Sequence, residues 1–321
     1  MAKRITPAAP VFVPPQLLTL EKCPPSGAGW IHEIKFDGYR MQVHVGTSAV
    51  TWFSRNGKDW SGRFPDLDAE LLKLGPCVLD GELCIVDSRG HPDFSALRSA
   101  LGFRQRGRVT GDLTLFVFDV LAQGREDLKP FALKARKAVL AKLFDQHDFK
   151  HLRLVDHFET GGANLLQSAC QMELEGVVSK RLDAPYKPGE RNATWIKAKC
   201  RSSQEVVIGG WETEGTKFKS LLAGVYERGQ LTYVGHLSTG FGRDALDVLL
   251  PKLRPLESSF APFATGGPPR KTSNVHWAEP KLVAAAEIAE WTGAGKLRQA
   301  SYKGLRDDKR AKDVIRERPA A

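Results

Sequence analysis

One lysine in the stretch EIKFDGYR, residues 33–40, has the surroundings that amine chemistry requires. Lys35 lies between Glu33 and Asp37, and Phe36 separates it from an Asp-Gly pair that is typical of a tight turn. A simple interpretation is a strand end, a turn and a strand start, with Lys35 on a solvated face. The alternative is a nucleophile held at the mouth of a pocket, because a lysine amine attacks electrophiles once it has lost its proton.

Four further stretches combine lysines, carboxylates and aromatic side chains at the predicted ends or faces of strands. Such groups can hold a nucleoside triphosphate together with a divalent metal ion. The stretches are LDGEL with Asp80 and Glu82 at a turn between two strands, FVFDVL with Phe116 and Phe118 on one strand face, EGVVSK with Glu175 and Lys180, and WIKAKC with Lys197 and Lys199 on one strand face.

The elements that must position these residues are mixed strands and helices. Residues 41–46 and 113–121 have the patterns of strands, and residues 77–87 predict two short strands. Residues 64–74, 132–144 and 162–176 have helical spacing. Because short links of hairpin length outnumber crossover helices, the sequence predicts an α+β fold with mostly antiparallel sheets.

The sequence pattern changes near Gln204. From there it predicts short strands joined by Gly-rich turns, with a single helix at 244–253. This pattern predicts a small β-barrel of the oligonucleotide-binding (OB) kind. We therefore predict two domains, residues 1–203 and residues 204–321.

Seven motifs in order resemble the covalent nucleotidyltransferases, and specifically the ATP-dependent DNA ligases. They are KFDGYR, SRNG, DGEL, FVFDVL, EGVVSK, WIKAK and LRDDK, and they extend over the chain from about Leu18 to Arg316. The residues of the motifs WIKAKC and SYKGLRDDK are most similar to those of the ligase module of bacterial ligase D. The resemblance implies a nucleotidyltransferase (adenylation) domain followed by an OB-fold domain.

The resemblance assigns Lys35 as the residue that ATP adenylates. The AMP then passes to the 5′-phosphate of a DNA nick, and the 3′-hydroxyl displaces it. A free lysine, with a pKa of about 10.4, is deprotonated in fewer than about one in a thousand molecules at pH 7. We expect neighbouring cations and desolvation to lower this pKa, with Lys197, Lys199 and a bound Mg²⁺ or Mn²⁺ as the cations.

The resemblance also assigns roles to the remaining candidate residues, each of which has a structural alternative such as a surface acid, a turn residue or a core aromatic ring. It implies that Glu33 contacts the adenine amino group and that Arg40 contacts the ribose. Glu82 is expected near the ribose and the metal, and Glu175 is expected to bind the metal. The other assignments are Ile34, Arg55, Phe118, Lys180 and Lys197 for nucleotide binding, and Lys197, Lys199, Arg306 and Lys309 for catalysis.

The composition agrees with a polyanionic partner without proving one. The chain has 47 basic and 37 acidic residues, and four arginines (Arg98, Arg104, Arg106 and Arg108) fall in one short stretch. No apolar run approaches the length of a membrane span, and the N-terminus does not have the pattern of a signal peptide. We expect a monomer in the bacterial cytoplasm acting on nicked or broken duplex DNA, with the end-binding protein Ku as a further candidate partner.

Three alternatives are left open by the residues. An mRNA-capping guanylyltransferase shares the Lys-x-Asp-Gly pattern, and an RNA ligase would use the same chemistry on a different nick. A basic OB-fold DNA-binding protein without catalysis would not need Lys35, Glu82 and Glu175 together. Covalent labelling by ATP or GTP, and comparison of nicked DNA with nicked RNA, would distinguish them.

Overall fold

The computed structural model describes residues 10–101, 109, 112–200 and 203–317. The chain separates into two compact units, Met1–Ala198 and Lys199–Ala321. Within the basic arginine stretch, Arg104, Arg106 and Arg108 lie outside the described residues.

The first unit contains ten strands and four helices among its described residues. They are β1 (Leu17–Glu21), β2 (Trp30–Lys35), β3 (Tyr39–Val45), β4 (Val50–Ser54), α1 (Pro65–Leu71), β5 (Cys77–Ile85), α2 (Phe94–Leu101), β6 (Leu113–Gln123), β7 (Glu126–Asp127), α3 (Leu133–Phe144), β8 (Leu152–Leu154), α4 (Gly162–Gln171), β9 (Gly176–Arg181) and β10 (Arg191–Lys199). A 3₁₀ turn, Leu72–Leu74, continues α1. The predicted α+β class with mainly antiparallel pairing is confirmed.

Two sheets form the frame of this unit. One has the strand order β1-β10-β9-β2, and the other has the order β4-β3-β5-β6-β7 with β8 also paired to β6. Strands β2 and β3 are neighbours in sequence but belong to different sheets, so residues 36–38 form a crossing between sheets and not a hairpin turn. Gly38 is required there, since a Cβ atom would lie 2.2 Å from the carbonyl oxygen of Leu83.

The prediction of two short strands over residues 77–87, with a turn at LDGEL, is wrong. Residues Cys77–Ile85 form the single strand β5. Its register with β6 shifts between Asp80 and Gly81, as expected for a β-bulge. A Cβ atom on Gly81 would lie 2.9 Å from the carbonyl oxygen of Phe116, so this Asp-Gly pair marks a close approach of two strands.

The core of the first unit explains why its helices pack where they do. Leu67 and Leu71 of α1 and Leu140 of α3 join the buried side chains of the larger sheet. Helix α3 is also fixed by a fully buried ion pair, in which Arg136 donates to both carboxylate oxygens of Asp119 at 2.8 and 2.9 Å. The predicted helices at 64–74 and 132–144 are confirmed.

The second unit is rich in strands. Its described elements are β11 (Ser203–Glu214), β12 (Lys217–Glu227), β13 (Gln230–Leu237), α5 (Arg243–Leu253), β14 (Glu257–Ser258), β15 (Val275–Ala278), β16 (Val283–Glu287), β17 (Glu290–Trp291), β18 (Leu297–Arg298) and β19 (Ser301–Leu305). Strand β11 is central, because it pairs with β12, β15 and β16. A unit rich in strands, with a single α-helix among its described elements, fits the predicted OB fold.

No helix in the described parts of the chain has the length and apolar character needed to cross a membrane.

Candidate functional site

The smaller sheet of the first unit presents charged residues on one face. In the antiparallel pair of β2 and β9, Lys35 is opposite Gly176, Glu33 is opposite Val178, and Ile31 is opposite Lys180. Side chains alternate between the two faces of a strand, so Lys35, Glu33 and Lys180 share one face. His32 and Ser179 belong to the other face, where the His32 Nδ1 and Ser179 Oγ atoms lie 2.8 Å apart. The side chain of Ile34 also belongs to that opposite face, so only its backbone can reach the predicted site.

Two aromatic rings connect this charged face to the larger sheet. Trp195 on β10 contacts Phe118 on β6, with 6.2 Å between ring centroids. The Lys180 ammonium lies over both rings, at 4.3 Å from the Phe118 centroid and 4.4 Å from the Trp195 centroid. By strand alternation Lys197 shares the face of Trp195, and it is buried.

The facing side of the larger sheet adds an arginine, an acid and a phenyl ring. Arg40 on β3 is opposite Glu82 on β5, and Glu82 is opposite Phe116 on β6. The ring of Phe116 stacks on Phe36, with centroids 3.9 Å apart. Because Phe36 follows Lys35 in the chain, this stack holds the residue beside the candidate nucleophile against the larger sheet.

Lys35 is surrounded by acids. Its ammonium contacts Glu175 Oε2 at 2.5 Å, and about one-fifth of each side chain is exposed. Burial works against the charge of Lys35, but the carboxylates of Glu175, Glu82 and Asp37 outweigh it and raise the pKa. The expectation that neighbouring cations lower the pKa of Lys35 is therefore not met in the protein alone. The isolated site holds Lys35 as an ammonium ion.

Glu33 has the opposite environment. Its carboxylate lies 2.5 Å from the ammonium of Lys137 on α3 and 2.6 Å from that of Lys180 on β9. Burial alone would raise the pKa of Glu33, but the two cations lower it. Desolvation is the largest influence on Lys180 and lowers its pKa to about 8, so this lysine still carries a charge at neutral pH.

Arg40 is held by a polar cluster that joins the two sheets. Its guanidinium donates to both carboxylate oxygens of Asp80, at 2.9 and 2.7 Å, and to the carbonyl oxygen of Gln16 at 2.7 Å. The hydroxyl of Tyr186 donates to Asp80 at 2.8 Å. Burial opposes the charge of Arg40, but Asp80 outweighs burial and raises its pKa. Arg40 therefore has a structural role here, besides its predicted contact with a ribose.

Four predicted residues lie elsewhere in the chain. Arg55 is in the turn after β4, where the Gly57 amide donates to the Ser54 carbonyl oxygen. Lys199 ends β10 and begins the second unit, Arg306 and Lys309 lie within that unit, and each of the three has an acid partner. Lys199 contacts Glu317 at 2.9 Å, Arg306 contacts Asp308 at 2.8 Å, and Lys309 contacts Glu205 at 2.5 Å.

Several residues of the site were missed by the sequence reasoning. Lys137, Tyr186 and Gln16 lie outside the seven motifs, and nothing in their local pattern distinguishes them from other residues of a helix or loop. Asp80 was noted only as part of a turn. Asp119 stands in the motif FVFDVL, and its pairing with the buried Arg136 explains why an acid follows the two phenylalanines.

The acids around Lys35 suit a hard metal ion. Among the described residues no group of three or more His, Cys, Asp or Glu side chains is arranged to hold a metal. Mg²⁺, however, is usually bound by one or two carboxylates together with substrate phosphates. Glu175 and Glu82 both act on the Lys35 ammonium, so this all-oxygen donor set fits an ion of that type.

Models of known families match both units. The family described as the ATP dependent DNA ligase domain matches residues 18–199, and the ATP dependent DNA ligase C terminal region matches residues 214–309. The chain is 38% identical over 320 residues to the multifunctional non-homologous end joining protein LigD of Pseudomonas aeruginosa. That match covers 97% of this chain and 37% of the relative, so the chain spans little more than a third of its length.

Other relatives and solved structures agree. The LigD protein of Mycobacterium tuberculosis H37Rv is 36% identical over 294 residues, which are 90% of this chain and 37% of that protein. A structure of mycobacterial DNA ligase D complexed with ATP and MES is 34% identical, with a TM-score of 0.65. The structural match covers 94% of this chain and 98% of the other.

Proposed function

Because the chain belongs to the ATP-dependent DNA ligase family, we propose that it seals 3′-OH/5′-phosphate nicks in duplex DNA, the DNA ligase (ATP) reaction, through an AMP linked to Lys35. The observation that best supports this proposal is the position of Lys35. It stands at the end of β2 beside three carboxylates, between two sheets that also present Arg40, Glu82 and aromatic rings. The similar mycobacterial structure is a complex with ATP and MES, which supports a nucleotide between these sheets.

The reaction has three transfers. The Lys35 Nζ atom attacks the α-phosphorus of ATP, a phosphorus–nitrogen bond forms, and the bond to pyrophosphate breaks. The 5′-phosphate of the nick then takes the AMP from Lys35. Finally the 3′-hydroxyl attacks that phosphate, the phosphodiester forms, and AMP leaves. Each transfer depends mainly on positioning and on neutralising negative charge.

Lys35 cannot attack while it is an ammonium ion paired with Glu175. Nucleotide binding therefore has to weaken this pair, so that the amine can lose a proton. Glu175 and Glu82 would hold a Mg²⁺ or Mn²⁺ ion that arrives with the nucleotide, and such an ion would neutralise phosphate charge. Lys197, on the same sheet face, is proposed to contact the phosphates.

The larger biological setting is also a proposal. Relatives named for non-homologous end joining suggest that this chain acts on broken as well as nicked DNA in repair. The end-binding protein Ku is the proposed recruiting partner, and the cytoplasm of a bacterium is the proposed location. Residues 1–203 are proposed as the adenylation domain and residues 204–321 as the OB domain.

A direct experiment tests the central proposal. The purified chain is incubated with ATP and Mg²⁺, and its intact mass is measured before and after addition of nicked duplex DNA. The expected result is one added AMP, which disappears as the nick is sealed. GTP and nicked RNA serve as comparisons for the guanylyltransferase and RNA ligase alternatives. Absence of any adduct with ATP would refute the proposal.

A further inference from the structure

Glu33 is enclosed by two lysines that come from different parts of the fold. Lys137 of α3 contacts Oε1, and Lys180 of β9 contacts Oε2. The exposed fractions of the three side chains are 3% for Glu33, 7% for Lys137 and 2% for Lys180. A buried acid between two cations remains ionised and is held in place from two sides.

The helix that supplies Lys137 is itself fixed. Arg136, the preceding residue, donates to both oxygens of Asp119 and also to the carbonyl oxygen of Phe131 at 2.7 Å. Arg136 and Asp119 have no exposed side-chain surface. Lys137 therefore projects from a rigid support, and Glu33 is positioned relative to β6 as well as relative to its own sheet.

The position of Glu33 relative to Lys35 suggests what its carboxylate recognises. The two residues share a strand face and are two positions apart, which is about 7 Å along a strand. A nucleotide with its α-phosphate at Lys35 would extend its base toward this part of the sheet, where Phe118 and Trp195 present their rings.

One oxygen of Glu33 still has capacity to accept a hydrogen bond. The Lys137 ammonium contacts Oε1, and a carboxylate oxygen has lone pairs for more than one donor. An ionised carboxylate only accepts hydrogen bonds. It therefore favours the 6-amino group of adenine, a donor, and disfavours the 6-carbonyl oxygen of guanine, an acceptor.

We propose that Lys137 is a positioning residue for base selection, which holds the Glu33 carboxylate so that the pocket prefers a 6-aminopurine nucleotide to a 6-oxopurine nucleotide. This inference rests on the proposed binding of a nucleotide at Lys35. It adds a residue from outside the seven motifs, and it makes selection of ATP over GTP depend on helix α3.

The test compares ATP with GTP in Lys137→Met and Lys137→Arg. Binding of each nucleotide is measured by calorimetry, and adduct formation is measured separately with each. In Lys137→Met the ratio of ATP to GTP affinity should fall by about tenfold or more, because an unsupported acceptor discriminates poorly. Lys137→Arg should restore most of the ratio. Lys134→Met, an exposed change on the same helix, should leave it unchanged.

A purely structural ion cluster predicts a different outcome. Lys137→Met would then weaken ATP and GTP by the same factor, or only lower the melting temperature, and an unchanged ratio would overturn the proposal. Equal binding of the two nucleotides by the unmodified chain would also overturn it. If Lys137→Met does not fold, Lys137→Gln decides, because it removes the charge and keeps a polar side chain, and an unchanged ATP to GTP ratio in it would overturn the proposal.

Failure of the proposed function remains distinguishable from failure of this inference. Preferential binding of ATP without an AMP adduct would refute the ligase mechanism and leave the role of Lys137 supported by the binding ratios. An AMP adduct with an unaltered ratio of ATP to GTP affinity in Lys137→Met would support the ligase mechanism and refute the role of Lys137.

Discussion

The candidate basic residues of the two units differ in how many carboxylates surround each of them. We call an ion pair balanced when one cation contacts one carboxylate. In the first unit, the carboxylates of Glu175, Glu82 and Asp37 all act on the single ammonium of Lys35. In the second unit, Arg306 pairs with Asp308 and Lys309 pairs with Glu205.

This difference indicates how each region can respond to a ligand. Several carboxylates that act on one ammonium can also bind a metal cation, so we expect the surroundings of Lys35 to change when a metal ion and a nucleotide bind. Balanced pairs are satisfied within the protein. Arg306 and Lys309 must therefore exchange their carboxylates for phosphate oxygens before they can act on a nucleotide, and that exchange limits how much they contribute.

The largest effect is expected at the centre of the unbalanced region. Lys35→Ala should abolish the AMP adduct, because it removes the proposed nucleophile, and it should cost no more stability than the about 1–2 kcal/mol expected for loss of the pair with Glu175. Intact mass and a thermal melt measure both. Lys22→Ala, an exposed lysine, is the control. An adduct at normal yield in Lys35→Ala would show that another residue is the nucleophile.

A second change tests a balanced pair that is completely buried. Asp119→Ala leaves the Arg136 guanidinium without its partner, and removal of one member of a buried pair costs about 3–5 kcal/mol. Urea unfolding should show a loss of this size. Asp127→Ala removes an acid that is 54% exposed and pairs with Lys129, so it should cost less than about 1 kcal/mol. Similar losses of unfolding free energy in the two variants would contradict a special structural role for the buried pair.

A third change breaks the Arg306–Asp308 and Lys309–Glu205 pairs of the second unit. Arg306→Ala with Lys309→Ala should slow adenylation by ATP by about a hundredfold, because we expect these cations to act only while charge develops on the departing pyrophosphate. The same variant should seal a nick that already carries 5′-AMP at a nearly normal rate. Equal loss in the two reactions would instead indicate a DNA-binding or folding role, and a melting curve separates those.

A fourth change alters the acid excess itself. Glu175→Gln should lower the pKa of Lys35, because the carboxylate that raises it is removed. The raised pKa stabilises the fold fully below the ordinary lysine pKa of about 10.4, and this contribution is lost as pH rises through the folded pKa.

Because the pKa of Lys35 is raised in the folded protein, the effect of Glu175→Gln on stability should depend on pH. Unmodified protein should be more stable than Glu175→Gln at pH 7 by about 1–2 kcal/mol, and the difference should shrink above about pH 10.4. Urea unfolding over pH 7 to 11 measures it. A constant difference across this range would mean that Glu175 stabilises the fold without pairing to the Lys35 charge.

The smallest effect is expected for an exposed balanced pair. Lys303 contacts Glu287 at 2.9 Å, and its side chain is 50% exposed. Lys303→Ala should therefore change the free energy of unfolding by less than about 1 kcal/mol and leave adenylation unchanged. A larger loss of unfolding free energy would mean that exposed ion pairs can stabilise this fold as much as buried ones do.

Much of this molecule follows from local sequence patterns. Helix α3 and strand β6 have their predicted positions, because apolar spacing and turn signals act over short distances. The seven motifs identified the family, and the family models match both regions. The roles of individual residues, Lys35 included, stay predictions until the variants are measured.

Only the tertiary structure decided what each charged group faces. The sequence indicated a turn after Lys35, but the placement of β2 and β3 in different sheets depends on strand pairing with β9 and β5. The Asp-Gly pair at Asp80 lies within one strand, opposite a bulge whose extra residue, Phe118, belongs to β6.

The same holds for the protonation of Lys35 and for the contact of Lys137 with Glu33. The first depends most on Glu175, which is 140 residues from Lys35 in sequence, and the second joins helix α3 to strand β2. Local patterns specify where strands and helices begin and end. Electrostatic interactions depend on distances in space, and those distances exist only once the sheets and helix α3 have packed.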